Sequence, residues 1–381
     1  GFTLSLILLG IIFGLERTEL INLLSLLAAT MILFFLGMKD DLIALSPKKK
    51  LLGQLVASAI VIFSTDMRIN SFDGLLGIGE LPYAFSVLFT FFVFILVINS
   101  FNLIDGIDGL AGAISLVVSG FFSVFFLLNE NYLLSFVSFI IIGGVLGYLR
   151  YNLSDSHKLF MGDSGSLFLG FLLAYQGIGF LILNETETSS FTAANAPMLL
   201  LAILSFPLLD TLRVFTLRAK KRRSPFNPDR NHIHHRLLDL GFTHKQATIL
   251  ILIGIAFNVE LAILTSDLYI NLQLFICVLV GSLLYLLPFL RGFKKSMGVD
   301  PANELDIFEQ GNPYELKSDD RLGKPFITKN EHIKLNEDFF PKSSLVQHKQ
   351  EVMRKTSPQN KFPDETKIIQ RERIIKKKTY K

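Results

Sequence analysis

The chain has 381 residues, half of them hydrophobic, with 36 Phe and only 18% charged residues. That composition excludes an ordinary soluble globular domain and fits a polytopic membrane protein. The net charge of +4 is small as a total, and its distribution along the chain carries more information.

Apolar stretches recur through the first 290 positions, most of them about long enough to cross a hydrocarbon core as helices. The first, 1–14, starts Gly1-Phe2-Thr3 with no Met and no basic n-region, so it is a poor signal peptide. It reads as the cut end of a fragment whose upstream part is missing. Further spans are expected at 20–38, 51–65, 83–99, 110–128, 132–149, 165–183, 197–217, 247–266 and 271–290. The expected fold is all-α, a transmembrane bundle of about ten helices over residues 1–292. Cys277, the single cysteine, lies in the last span and cannot form an internal disulfide. Residues 293–381 are polar and charged and end "KIIQRERIIKKKTYK". They read as a disordered extension. The alternative places the basic end on anionic headgroups, worth about 1 kcal/mol per Lys or Arg.

Alternating the loops between two sides separates the charges. One set, 39–50, 99–109, 150–164 and 218–246, holds 14 Lys and Arg. The other, 15–19, 66–82, 129–131, 184–196 and 267–270, holds only Arg17 and Arg68. Cytoplasmic loops are rich in Lys and Arg, so the first set, with the tail, is expected to be cytoplasmic. Every unusual polar cluster falls in that set. A transporter would be expected to keep ionisable groups near the bilayer midplane on broken helices. Groups gathered at helix ends on one face instead point to an active site at the cytoplasmic membrane surface.

In "GMKDDLIALSPKKK", adjacent Asp40 and Asp41 repel unless a cation is near or one stays protonated. Lys48, Lys49 and Lys50 follow, readable as a positive-inside anchor or as attraction for a phosphorylated substrate. "NSFNLIDGIDGLAG" sets Asn99, Asn102, Asp105 and Asp108 three residues apart. On a regular α-helix they would spread round half the circumference, so they align only if the backbone tightens toward 3₁₀ geometry or opens at the glycines. A helix-end capping turn is the plain alternative. "FMGDSGSLFLGF" places Asp163 in a Gly-flanked turn at a helix start, suited to Mg²⁺ and phosphate. "DRNHIHHRL" carries Arg230, His232, His234, His235 and Arg236. Zinc is disfavoured, because no Cys is nearby and three His within four residues converge poorly. A cationic clamp on an anionic substrate is preferred over a solvated basic loop. Together these parts suit phosphoryl transfer between a lipid and a soluble, multiply charged donor.

With "DDLIALSPKKKLLGQ", "NSFNLIDGIDGLAG", "FMGDSGSL" and "HIHHRL" in that order, the chain resembles the polyprenyl-phosphate N-acetylhexosamine-1-phosphate transferases over about residues 1–290. These include the bacterial undecaprenyl-phosphate GlcNAc-1-phosphate transferases and, more distantly, the phospho-MurNAc-pentapeptide transferase. The resemblance implies a multi-pass enzyme of the bacterial inner membrane. It would transfer a sugar 1-phosphate from a UDP-sugar to undecaprenyl phosphate, releasing UMP and using Mg²⁺ (Mn²⁺ as an alternative). "HIHHRL" favours UDP-GlcNAc as donor, and the product would begin a cell-surface glycan such as an O-antigen or teichoic acid. By resemblance, Asp163 binds Mg²⁺ and Asp40 and Asp41 serve metal and lipid-phosphate activation. Asn102, Asp105 and Asp108 line the nucleotide and catalytic pocket and Asn152 contacts nucleotide, while Asn99 from the same ladder and Lys48 from the basic run are candidate substrate contacts on the residues themselves. Arg230, His232, His234, His235 and Arg236 grip diphosphate or sugar. Direct attack of the lipid phosphate is expected, with a phospho-aspartate route as its rival. Partners are the two substrates and membrane lipids, with a homodimer left open and no nucleic acid expected.

Overall fold

A computed structural model describes residues 1–13, 15–154, 156–186, 189–220 and 232–290. The expected tail from 293 onward and Arg230 lie outside the described residues. Within them the fold is helical, with no strand and one isolated antiparallel bridge between Ser71 and Glu80.

The helices are α1 (Phe2–Phe13), α2 (Arg17–Ile43), α3 (Pro47–Thr65), α4 (Tyr83–Ile104), α5 (Leu110–Leu128) and α6 (Tyr132–Asn152). They continue with α7 (Gly162–Glu185), α8 (Ala196–Ile203), α9 (Ser205–Lys220), α10 (Ile233–Asp239), α11 (His244–Leu264) and α12 (Ile270–Leu286). Seven are long and apolar enough to cross a membrane: α2, α4, α5, α6, α7, α11, and α12 with its trailing turn. The expected all-α bundle of about ten helices agrees with this fold, and the individual spans differ from those expected in three places. α1 has 12 residues, about 18 Å of helix. α3 opens with three lysines, Lys48–Lys50, and is not among the seven. The stretch expected as one span over 197–217 is two helices, α8 and α9, bent by 69° at Leu204. Pro207 explains the break: it lacks an N–H, and its ring collides with the carbonyl four residues back in a continuous helix.

α7 forms the centre, buried over most of Ser166–Leu181 and packed against α2, α4 and α5. Small residues allow the close approaches, as expected where lipid gives helices no hydrophobic drive to associate. A Cβ on Gly170 would stand 2.8 Å from the Cα of Ile98 in α4. Aromatic rings fill the rest, with Phe94 and Phe171 stacked at 5.1 Å between centres and Phe125 and Phe180 edge-to-face at 4.6 Å. Outward-facing Leu24, Leu88, Ile253, Phe275 and Leu283 are exposed, as befits lipid-facing positions.

Contacts between loops respect the division drawn from charge. At one end, Asn129 exchanges hydrogen bonds with the backbone of Phe191, Asn195 donates to the Ser266 carbonyl, and Leu76 N–H donates to Asn271. At the other end, 39–50, 99–109, 150–164 and the segment from His232 to His244 meet.

Candidate active site

The site is built round the N-terminus of α7. Gly162, with φ of +64°, turns the chain into the helix and leaves room for Asp41, whose carboxylate a Cβ there would press at 2.9 Å. Asp41, near the end of α2, accepts the backbone N–H of Asp163 at 2.7 Å and of Ser164 at 3.1 Å. A carboxylate at that position satisfies orphan donors and complements the positive end of the helix. Gly37, one turn earlier on α2, makes the approach possible. A Cβ there would lie 2.4 Å from the Cα of Ser164.

Asp163 then points its own carboxylate back into the bundle. Oδ1 accepts from Asn102 at 2.5 Å, and Oδ2 meets the Lys50 ammonium at 2.9 Å. Asn102 also donates to Ser166, so α4 and α7 are tied together at this point. Lys50 reaches Asp40 as well, which is buried and accepts the Leu45 N–H. The adjacent pair Asp40 and Asp41 thus avoids mutual repulsion by facing different partners, one an ammonium and one a helix terminus. Lys48 is exposed two residues before Lys50 and makes no ion pair among the described residues.

The Asn–Asp ladder opens at its glycines. α4 ends at Ile104, Asp105 follows it, and Gly109, with φ of +81°, begins α5. The four residues consequently take separate partners. Asn99 pairs with buried Gln54 of α3 at 3.0 Å and Asn102 with Asp163. Asp108 is held by Lys158 at 2.6 Å and by His244 Nδ1 at 2.7 Å. Asp105 takes no hydrogen bond or ion pair among the described residues. Burial, then the negative charges of Asp163, Asp108 and Asp41, push its carboxyl up to about 7. Asn152 is buried, accepts the Gly109 N–H at 2.6 Å and donates to the Leu159 carbonyl at 2.8 Å. Its amide clips the acidic turn to the following loop.

The histidine segment docks on the same end. His232 meets Asp210 of α9 through Nδ1 at 2.7 Å, and Asp210 also accepts Ile233 N–H at 2.8 Å and Tyr285 O–H at 2.6 Å. His234 is fully buried, its ring lying parallel to His232 at 5.4 Å and close to His235 at 4.3 Å. Among the described residues neither of its ring nitrogens has a hydrogen-bond partner. Burial, then the neighbouring His235, press its imidazole down to about 3. It rests against Gly106, where a Cβ would fall 2.0 Å from Nε2. Arg236 donates to the Pro288 carbonyl at 3.0 Å, and the Arg236 and Arg213 guanidinium groups both lie over the Phe289 ring.

Gln54, Lys158, Asp210, His244 and Tyr285 were not singled out by the sequence motifs, and Lys50 was read only as one of three lysines, an anchor or an attraction for phosphate. Asp210 had a readable signal, an acid inside an apolar span four residues after the start of "FPLLD". Gln54, Lys158, His244 and Tyr285 carried none, since a Gln or Tyr in a span and a Lys or His in a loop are all ordinary there.

Among the described residues no three His, Cys, Asp or Glu side chains are placed to hold a metal ion together. The donors are nevertheless hard oxygens, and Asp105 carries unrelieved repulsion from three carboxylates. That is the environment a divalent cation with few protein ligands and several waters would relieve.

A helical, multi-pass membrane protein with carboxylates, amides, lysines and histidines gathered at one end of its bundle is the class these features define. Residues 23–181 match glycosyl transferase family 4. The undecaprenyl-phosphate alpha-N-acetylglucosaminyl 1-phosphate transferase of Salmonella typhi is 31% identical over 248 residues, covering 64% of this chain and 66% of that protein. The decaprenyl-phosphate N-acetylglucosaminephosphotransferase of Mycolicibacterium smegmatis is 30% identical over 286 residues, 71% of this chain and 69% of that one. A probable undecaprenyl-phosphate N-acetylglucosaminyl 1-phosphate transferase of Bacillus subtilis is 31% identical over 241 residues, 62% and 64% respectively. The chain belongs to glycosyl transferase family 4, and it spans just under two thirds of the length of the Salmonella and Bacillus relatives.

Proposed function

We propose that the chain transfers GlcNAc 1-phosphate from UDP-GlcNAc to undecaprenyl phosphate at the cytoplasmic membrane face, opening the synthesis of a cell-surface glycan. The observation that carries this reading is Asp163. It stands at a helix N-terminus, bracketed by Lys50, Asn102 and the Asp41 cap, which come from three other segments of the chain. Family membership supports the chemistry, and the basic loops at this end support the orientation.

An oxygen of the lipid phosphate attacks the β-phosphorus of the donor. The bond to the bridging oxygen breaks and UMP leaves, so charge is conserved between a new diphosphate and the released monophosphate. Asp163 with Asp41 would hold Mg²⁺, or Mn²⁺, which supplies charge neutralisation for the phosphates when bound. Asn102 and Lys50 fix the Asp163 carboxylate. Asp40, buried against Lys50, orients that ammonium toward the anionic centre. Asp105, the acid without a partner among the described residues, would accept a proton from the lipid phosphate. The imidazoles of His232, His234 and His235 line the docked segment beside it, with Arg236 anchored at Pro288.

A secondary transporter has one feature in its favour, a buried carboxylate on the broken pair α8 and α9. Asp210 is already met by three donors from the chain itself, which leaves it poorly suited to a coupling ion.

The test mixes purified protein with undecaprenyl phosphate, Mg²⁺ and a panel of UDP-sugars, and follows UMP and the lipid product. Release of UMP with UDP-GlcNAc, lost in Asp163→Asn, is expected. Substrate accumulation in vesicles without UMP release would replace this reading. Exchange of labelled UMP into the donor without any lipid would move the mechanism to a phospho-aspartate route.

A further inference from the structure

The motif histidines do not position themselves. Asp210 lies in α9 just beyond the Pro207 break, is 1% exposed, and receives three hydrogen bonds from three different places. Two reach Oδ1, from the Ile233 backbone at 2.8 Å and the Tyr285 hydroxyl of α12 at 2.6 Å. The third reaches Oδ2, from His232 Nδ1 at 2.7 Å. A carboxylate has no proton to give in this arrangement, so Nδ1 must carry one. The other ring nitrogen, Nε2, is left without a partner among the described residues.

We propose that Asp210, backed by Tyr285, is a positioning residue that holds His232 in the Nδ1–H form and presents Nε2 to the anionic donor. This rests on the proposed transfer reaction. The same device, a buried carboxylate fixing the proton and orientation of an imidazole, operates in metal sites and in catalytic triads. Here it extends through packing. The His234 ring lies parallel to His232, within 5° and at 5.4 Å, and His234 in turn rests on Gly106 beside Asp105. A change in the His232 ring therefore reaches the junction between the histidine segment and the acidic turn.

The asymmetry of the three bonds gives a sharp test. In Asp210→Asn the single carbonyl oxygen is claimed by the two donors at the Oδ1 position. The amide NH₂ then faces His232, whose Nδ1 must become an acceptor. Full-length protein with ¹⁵N-labelled histidine is expected to show Nδ1 of His232 protonated in the wild type and unprotonated in Asp210→Asn. The melting temperature should stay close to wild type. UMP release should fall by about a hundredfold or more, in the direction of the ~10⁴-fold loss seen when a triad imidazole is held in the wrong form. Tyr285→Phe should keep Nδ1 protonated and lower turnover by about tenfold, the lower end for one hydrogen bond to a charged group.

Asp210→Asn with Nδ1 still protonated, or with turnover within about threefold of wild type after the proton moves, overturns the proposal. If Asp210→Asn does not fold, Tyr285→Phe decides: wild-type turnover in that variant sinks the clamp. A wild-type protein that releases no UMP from any UDP-sugar refutes the proposed reaction instead. The ¹⁵N spectra then still decide whether Asp210 governs the His232 proton.

Discussion

The carboxylate of Asp41 accepts the backbone N–H of Asp163 at 2.7 Å, joining residues 122 positions apart. α7 therefore starts where α2 ends, and the side chain of Asp163 takes its direction from that joint. Asp41→Ala is expected to cost about 1 kcal/mol of stability, the usual worth of a helix cap. It should lower turnover far more than that loss of stability would. Thermal melts in detergent, run beside UMP-release assays, would separate the two effects. Equal loss in both would mean that the cap has no role beyond holding the helix.

Gly37→Ala tests the same joint from the packing side. The added Cβ would meet backbone, 2.4 Å from Ser164 Cα, and backbone cannot rotate away. α2 and α7 must separate, at a cost of about 1–3 kcal/mol. A melting temperature equal to wild type would refute the close approach.

Lys50 bridges Asp40 and Asp163, and its removal leaves Asp40 as an uncompensated buried carboxylate. Losing one partner of a buried pair costs about 3–5 kcal/mol. Because a quarter of the Lys50 side chain is exposed, about 2 kcal/mol is the better expectation for Lys50→Met. Adding Asp40→Asn should recover most of the stability and none of the turnover. Recovery of both would reduce Lys50 to a structural role.

Asp105 and His234 should pull the pH dependence of stability in opposite directions. Asp105 holds its proton up to about 7 in the fold and to about 3.8 when unfolded, so its contribution falls as pH rises through that window. His234 is pressed down to about 3 from 6.5, so the unfolded chain takes the proton first and stability falls as pH drops from 6.5 toward 3. In chelator, Asp105→Asn should make stability rise more steeply with pH, and His234→Phe should make it rise less steeply. Melts between pH 4.5 and 7.5 give the slopes. Unchanged slopes in either variant would mean that group is not held as described.

Gly106→Ala places a methyl carbon 2.0 Å from His234 Nε2, against a ring already packed between His232 and His235. The ring must leave, and turnover is expected to drop by about tenfold or more, each factor of ten being about 1.4 kcal/mol of barrier. Wild-type turnover would show that the histidine segment can part from the acidic turn without consequence.

The one-dimensional record was enough for the membrane class, for most of the helix positions and for the division of loops into two faces. Apolar length and Lys and Arg asymmetry act locally, segment by segment, so they can be read without knowing how the segments pack. The motifs also pointed to the polar groups that meet at one end of the bundle, since Asp and Asn beside Gly at the ends of apolar spans are costly to place without purpose. What packing alone decided is the partner of each group. Asp40 and Asp41 are neighbours in sequence yet face Lys50 and the start of α7, while Asp105 is unpaired among the described residues and Asp108 three residues on is met by Lys158 and His244. Lys50 to Asp163 and Asp108 to His244 span 113 and 136 residues, and Asp210 to Tyr285 spans 75. Such pairings depend on which helix faces meet, and on small residues such as Gly37 and Gly106 that let backbones come close. No local pattern encodes that.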